Sequence, residues 1–159
     1  MNPTPPDDPL PVVRAPLQVV RLLGDDPRLA DCFAIRHVVF VVEQAVPEDL
    51  EVDGLDGACV HFLALVGGRA VGAARLRVPD PEWGKAERVA VLAELRGAGV
   101  GRRLMEALEA EAAARGLSEV HLSAQEQAIS FYIGLGYVGV GEPFEEAGIP
   151  HLSMVKALA

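Results

Sequence analysis

Arg88-Val89-Ala90-Val91-Leu92, followed by Arg96-Gly97-Ala98-Gly99-Val100-Gly101-Arg102-Arg103, is the stretch whose reading decides the fold. The first run reads as a strand. The second opens an amphipathic segment through Leu104, Leu108 and Ala112, a spacing that predicts a helix. A glycine-rich turn between strand and helix leaves backbone N–H groups free at the positive end of the helix dipole, where a diphosphate binds well. Glycine suits that turn because positive φ costs it nothing and no Cβ stands between backbone and ligand. Two nucleotide readings fail on spacing. A triphosphate loop requires Lys-Ser/Thr after its last glycine, and here Arg102-Arg103 follow Gly101. A dinucleotide fold requires Gly-x-Gly-x-x-Gly, and here the pattern is Gly97-x-Gly99-x-Gly101.

Further on, Arg115-Gly116 marks a helix stop. Glu119-Val120-His121-Leu122-Ser123 then alternates like a short strand, and Ala128-Ile129-Ser130-Phe131-Tyr132-Ile133-Gly134-Leu135-Gly136-Tyr137 follows. Val91-x-x-x-x-Arg96-x-x-Gly99-x-Gly101 resembles the pyrophosphate loop of the GNAT superfamily of N-acetyltransferases. Ala128-x-x-Phe131-Tyr132-x-x-Leu135-Gly136-Tyr137 resembles the signature after that family's fifth strand. The two stand in the family's order, with a helix and a strand between them. The resemblance runs from about Leu17 to Leu158 and is most specific from Glu87 to Tyr137. Val39-Phe40-Val41-Val42-Glu43-Gln44, then Asp53, Asp56 and His61, then Gly148-Ile149-Pro150-His151, are similar to a small bacterial subgroup.

The resemblance implies a single α/β domain: a mixed, mostly antiparallel twisted sheet, helices on both faces, and an acetyl-CoA cleft between strands 4 and 5. It implies acetyl-CoA as acyl donor and a primary amine, on a small molecule or a protein, as acceptor. To the donor it assigns the backbone of Val89, Ala90 and Val91, the loop Arg96, Gly97, Ala98, Gly99, Val100, Gly101 and Arg102, and Gln125, Ser130 and Tyr132. Gln125 stands where many members carry Asn, one methylene shorter. Tyr132 matches the tyrosine that donates to the departing thiolate. To the acceptor side it assigns Glu43, Gln44, His61 and His151.

The chemistry adds a requirement. An alkyl amine has a pKa near 10, so a carboxylate or a water relay must take a proton before nitrogen attacks. Glu43, beside Gln44, and Glu87, at the start of the fourth strand, are the candidate bases. A strand interrupted by a bulge near Val89–Val91 can aim an amide at the thioester oxygen. The alternative is a non-catalytic acyl-CoA-binding or regulatory domain that keeps the glycine loop. Tyr132 and Glu43 favour the enzyme, because a binder needs neither proton donor nor acceptor.

Composition sets the frame. The chain has 159 residues and a net charge of −9. That acidity argues against nucleic-acid or anionic-membrane partners and is compatible with a cationic acceptor. No apolar run approaches the roughly 18 residues of a membrane span, and the N-terminus lacks the pattern of a secretory signal. Met1-Asn2-Pro3-Thr4-Pro5-Pro6-Asp7-Asp8-Pro9 predicts a disordered or extended tail over 1–16, ahead of one domain over 17–159. Cys32 and Cys59 form no Cys-x-x-Cys pair and read as buried apolar residues of a cytoplasmic protein. No histidine pair has metal-ligand spacing, so no metal is expected. A monomer or a homodimer is expected.

Along the chain, Leu17–Leu23 reads as the first strand. Asp26 reads as the cap of a helix with Pro27 at its first position and Leu29, Phe33 and Arg36 at helical spacing. Residues 45–57 read as an acidic loop. Val60–Val66 and Arg69–Arg77 flank Gly67-Gly68, a hairpin signal. Residues 79–84 read as loop, and Tyr137–Val140 with His151–Val155 as a closing hairpin.

Overall fold

A computed structural model describes residues 15–159. The tail expected over 1–16 therefore lies, except for its last two positions, outside the described residues. Strands β1 (Leu17–Leu22), β2 (Val60–Val66), β3 (Arg69–Arg77), β4 (Trp83–Val91), β5 (Glu119–Gln125), β6 (Val138–Glu146) and β7 (Ile149–Ala157) form one sheet. Their order is β1-β2-β3-β4-β5-β7-β6. Every neighbouring pair is antiparallel except β4 and β5. Helix α1 (Leu29–Arg36) runs on into a π-helical segment, His37–Glu43, and α2 (Glu48–Glu51), α3 (Val100–Ala114) and α4 (Ile129–Gly134) complete the helices.

Both faces of the sheet are covered. Phe62, Ala64 and Val66 of β2 pack with Val100, Leu104, Met105, Leu108 and Ala112 of α3. Leu63, pointing the other way, packs with Leu29, Cys32 and Ile35 of α1 and with Val39. A strand buried on both sides reads as a continuous apolar run, which is why Val60–Val66 shows no alternation. In the β2–β3 turn, Gly67 and Gly68 have φ of +57° and +80°, as a tight two-residue hairpin requires. Helix α3 stops where Arg115-Gly116 predicts. The Leu117 N–H reaches the Ala112 oxygen (3.1 Å) and the Gly116 N–H the Ala113 oxygen (3.0 Å), the paired bonds of a glycine stop.

Local expectations shift in several places, among them the expected loop 45–57, which holds α2. The Asp26 carboxylate accepts the Arg28 N–H at 2.8 Å, but the first turn closes through i→i+3 bonds and regular helix begins only at Leu29. Phe33 is 38 % exposed, and Cys32, Ile35 and Arg36 form the inner face of α1 instead. Strand β4 begins at Trp83, inside the expected loop, so Glu87 lies in mid-strand.

Two irregularities open the sheet. The parallel β4–β5 pairing covers only Trp83–Glu119, Gly84–Val120 and Lys85–His121, whereas β5 stays paired with β7 along its whole length, from Glu119–Ala157 to Gln125–His151. Beyond Lys85 the two strands part. On the other edge of β4, Arg75 faces Glu87 and Ala73 faces Ala90, leaving Arg88 and Val89 opposite Ala74 alone. This is a β-bulge, and Arg88 adopts φ +54° in it. Among the described residues no helix is long and apolar enough to cross a membrane.

Candidate active site

A cavity of about 320 Å³ fills the opening between β4 and β5. Lys85–Val89 form one wall, and Leu122, Ser123 and Gln125 of β5 with Ala128 and Tyr132 the other. Phe40 and Gln44, at helical spacing near the end of the π-helical turn, close one end with Val46, Leu50 and Glu51. Glu146, Ala147, Ile149 and His151, from the β6–β7 hairpin, close the other.

The glycine loop follows β4. Gly97 and Gly99 have φ of +84° and +87°, and a Cβ at either would meet nothing within 4 Å. Conformation, not crowding, calls for glycine there, and the space above the loop is open. Gly99 is the N-cap of α3 and no side chain caps the helix, so its first amides lack intrahelical partners. The Ala98 N–H is already engaged by the Leu95 oxygen at 3.2 Å. A Cβ on Gly101 would stand 3.1 Å from the Phe131 ring, so glycine lets α4 lie against the first turn of α3. Arg96 donates from Nε to the Val91 oxygen (3.0 Å) and from Nη2 to both Glu43 carboxylate oxygens (3.1 and 2.9 Å). Val100 is buried, and Arg102 is exposed in the first turn of the helix.

Gln44, Glu87, Val89, Gln125, Tyr132 and His151 come together on the cavity. Gln125 donates to the Gln44 side-chain oxygen at 2.7 Å, tying β5 to the π-helical turn. Ala90 is buried beneath α1. Glu43 lies against Arg96, outside the cavity lining, and Ser130 is exposed on α4. His61 is 1 % exposed, with Nε2 2.9 Å from the Asp56 carbonyl oxygen. Burial pushes its pKa down and so favours the neutral ring. It too lies off the cavity.

The two candidate proton carriers differ in what surrounds them. Tyr132 is 8 % exposed, and burial raises the pKa of its phenol. Among the described residues its hydroxyl has no hydrogen-bond partner, so its proton is available to the cavity. Glu87 accepts from Arg75 Nη2 (2.7 Å) and Arg77 Nε (2.9 Å). Burial alone would raise its pKa, but those hydrogen bonds and the Arg75 charge outweigh it, and the net shift is downward. A carboxylate held in that way takes up a proton reluctantly.

Glu87 belongs to a buried ion network that the motifs do not announce. Arg75 is fully buried and binds Asp53, Asp56 and Glu87. Arg36, 1 % exposed, binds Glu51 and Asp56. Arg88 crosses from the bulge to the Leu50 and Glu51 carbonyl oxygens and the Asp53 carboxylate. The acidic segment 48–58 is thereby clamped over β3 and β4 as the cavity's rim. The sequence signal was charge balance: Glu51, Asp53 and Asp56 follow an Arg in α1 and precede Arg75 and Arg77 in an otherwise apolar strand.

A sequence model of the acetyltransferase (GNAT) domain matches residues 30–158. YjcF of Bacillus subtilis, described as an uncharacterized N-acetyltransferase, is 45 % identical over 133 residues, covering 83 % of this chain and 94 % of its own. The crystal structure of an acyl-CoA N-acyltransferase from Pseudomonas aeruginosa superposes with a TM-score of 0.78 at 35 % identity, covering 89 % of this chain and 100 % of that one. Escherichia coli ElaA superposes with a TM-score of 0.77 at 32 % identity, covering 88 % and 99 %.

Proposed function

Because this chain belongs to the GNAT acetyltransferase family, we propose that it transfers the acetyl group of acetyl-CoA to a primary amine of a small molecule or a protein. The observation that carries this reading is the parting of β4 and β5 beyond Lys85. It leaves a cavity on β4 and, just past the end of that strand, a glycine loop in the left-handed conformation. The loop fits a diphosphate on its own terms: positive φ, open space where a Cβ would stand, and an uncapped helix start.

In this reading the amides of Gly99, Val100, Gly101 and Arg102 hold the diphosphate, and Arg96 turns to it from Glu43. Acetyl-CoA supplies a thioester carbonyl already activated towards nitrogen. The Val89 amide, turned by the bulge, is the donor for its oxygen. The Tyr132 hydroxyl, undonated and protonated, is the donor for sulfur. Gln44 and Gln125 fix the wall between donor and acceptor. A cytoplasmic location agrees with Cys32 and Cys59, both free and buried thiols.

The test is a calorimetric titration with acetyl-CoA, followed by thiol release with polyamines, aminosugars and amino acids as acceptors. Binding together with acceptor-dependent thiol release is expected. Binding without release from any acceptor points to a binding domain instead.

A further inference from the structure

With Glu87 and Glu51 both held by arginines, the cavity needs another group to take the acceptor's proton. The β6–β7 hairpin supplies one. His151 lines the cavity and is 8 % exposed. Its Nδ1 stands 2.7 Å from the Ile149 carbonyl oxygen. A carbonyl only accepts, so that contact fixes the proton of the neutral ring on Nδ1 and leaves a lone pair on Nε2. The ring stacks on Phe144, with centroids 5.8 Å apart, and this second contact holds its plane. Nε2 lies 3.9 Å from the Glu146 carboxylate, which also lines the cavity and is 63 % exposed in its side chain. Gln125 of β5 faces His151 in register and is neutral. The remaining charged groups on the cavity are Lys85, Glu87, Arg88 and Glu51. Glu87 is held by Arg75 and Arg77, with the Lys85 ammonium 4.0 Å away, and Glu51 is held by Arg36.

We propose that His151 is the base that deprotonates the acceptor ammonium, with Glu146 drawing that cation to the cavity mouth. The proposal rests on the acetyltransferase reading and deepens it to a cationic primary-amine acceptor. One N–H bond of R–NH3+ breaks and an Nε2–H bond forms, leaving the electron pair on nitrogen. That pair forms the C–N bond as the C–S bond of the thioester breaks. Sulfur receives the Tyr132 proton, the second amine proton leaves for solvent, and solvent restores Tyr132. The His151 proton then leaves past the exposed Glu146, so one proton is released per acetyl group transferred.

Two readouts test this. The first is the tautomer of His151 by nitrogen-15 NMR of the full chain without ligand: the neutral ring should carry its proton on Nδ1. A neutral ring protonated on Nε2 overturns the proposal. The second is turnover by wild type, His151→Gln, His151→Asn and Glu146→Gln with agmatine, glucosamine and lysine methyl ester, with acetyl-CoA binding as the folding control. Both His151 variants should bind acetyl-CoA as wild type does and lose about 10²-fold or more in kcat near neutral pH. The loss should shrink as pH rises and the amine deprotonates unaided. Glu146→Gln should raise the acceptor KM severalfold, and an unchanged KM removes Glu146 from the acceptor's path. Active wild type with a His151 variant of equal rate and superimposable pH profile overturns this proposal alone. Wild type that binds acetyl-CoA and acetylates none of the three amines overturns the acetyltransferase reading as well.

Discussion

Arg96 and Glu43 join the glycine loop to the π-helical turn: one guanidinium nitrogen lies 3.1 and 2.9 Å from the two oxygens of the carboxylate. Both side chains are substantially exposed, 47 % and 32 %, so the pair adds little to stability. Its significance lies in its position. The arginine best placed for a diphosphate is engaged by the carboxylate best placed, by motif alone, as a base. In the proposed reading, a bound diphosphate and Glu43 compete for the Arg96 guanidinium.

Glu43→Gln should release Arg96 and tighten acetyl-CoA binding, by up to about fivefold if the pair is worth the upper end of an exposed ion pair, about 1 kcal/mol. Arg96→Ala should weaken binding, and Glu43→Gln added to it should have no further effect. The double-mutant cycle is read by calorimetry at low salt, because salt screens the pair. A Glu43→Gln protein with weaker acetyl-CoA binding would show that the carboxylate supports the loop rather than competing with the ligand.

Gly99→Ala separates conformation from packing. At φ +87° with open space around its missing Cβ, the added methyl group meets no neighbour, and the left-handed backbone is the source of strain. That strain costs about 1–2 kcal/mol, relieved if the loop turns out of its conformation. Acetyl-CoA affinity should then drop more than tenfold, about 1.4 kcal/mol or more. Retained affinity in the Gly99→Ala protein would remove the loop from the donor site.

The sequence made the frame legible where residue type reports local backbone geometry. Gly67-Gly68, Gly97-x-Gly99 and Gly116 all adopt the positive φ that their turns require. The strand–loop–helix order around them follows. Long-range pairing was not legible. Glu87 carries no mark that Arg75 lies across the β3–β4 ladder from it. Glu43 gives no sign that Arg96, 53 positions away, meets it. Arg36 gives no sign that Glu51 and Asp56 of the acidic segment fold over it. The π-helical turn His37–Glu43 is hidden for a local reason: an apolar run sets the face, not whether the turn closes at i+4 or i+5.

The buried network predicts acid sensitivity. The Arg75 hydrogen bonds draw the Asp53 carboxyl well below its ordinary range. For Asp56 burial works the other way, but the bonds from Arg36 and Arg75 prevail, and Glu87 is lowered likewise. Depressed folded-state pKa values mean that these groups contribute fully above the unfolded carboxylate range, about 4. The contribution is lost as pH falls through the lower folded values. The urea midpoint should thus fall gently once pH drops through the unfolded imidazole value, about 6.5, because the buried His61 resists protonation in the fold, and steeply below about 4. Arg75→Met should destabilise at neutral pH by about 1.5–3 kcal/mol, because Asp53, Asp56 and Glu87 lose their shared donor and keep one arginine each, Arg88, Arg36 and Arg77, and should flatten the acid limb.

Tyr132→Phe tests the proton donor. The hydroxyl has no partner among the described residues, while the ring packs edge-on against Tyr137 and Phe131, with centroids 5.7 and 5.0 Å away. Removing the oxygen keeps those contacts, so the unfolding midpoint should barely move. If the hydroxyl protonates the departing sulfur, kcat should drop about 10²- to 10⁴-fold while acetyl-CoA affinity stays within about twofold. Because burial holds the phenol above the ordinary tyrosine range, its proton persists through alkaline assays. The wild-type rate should therefore show no falling limb from tyrosine ionisation between about pH 8 and 10. A Tyr132→Phe enzyme with unchanged kcat would reduce Tyr132 to a packing residue and leave the sulfur to be protonated by water.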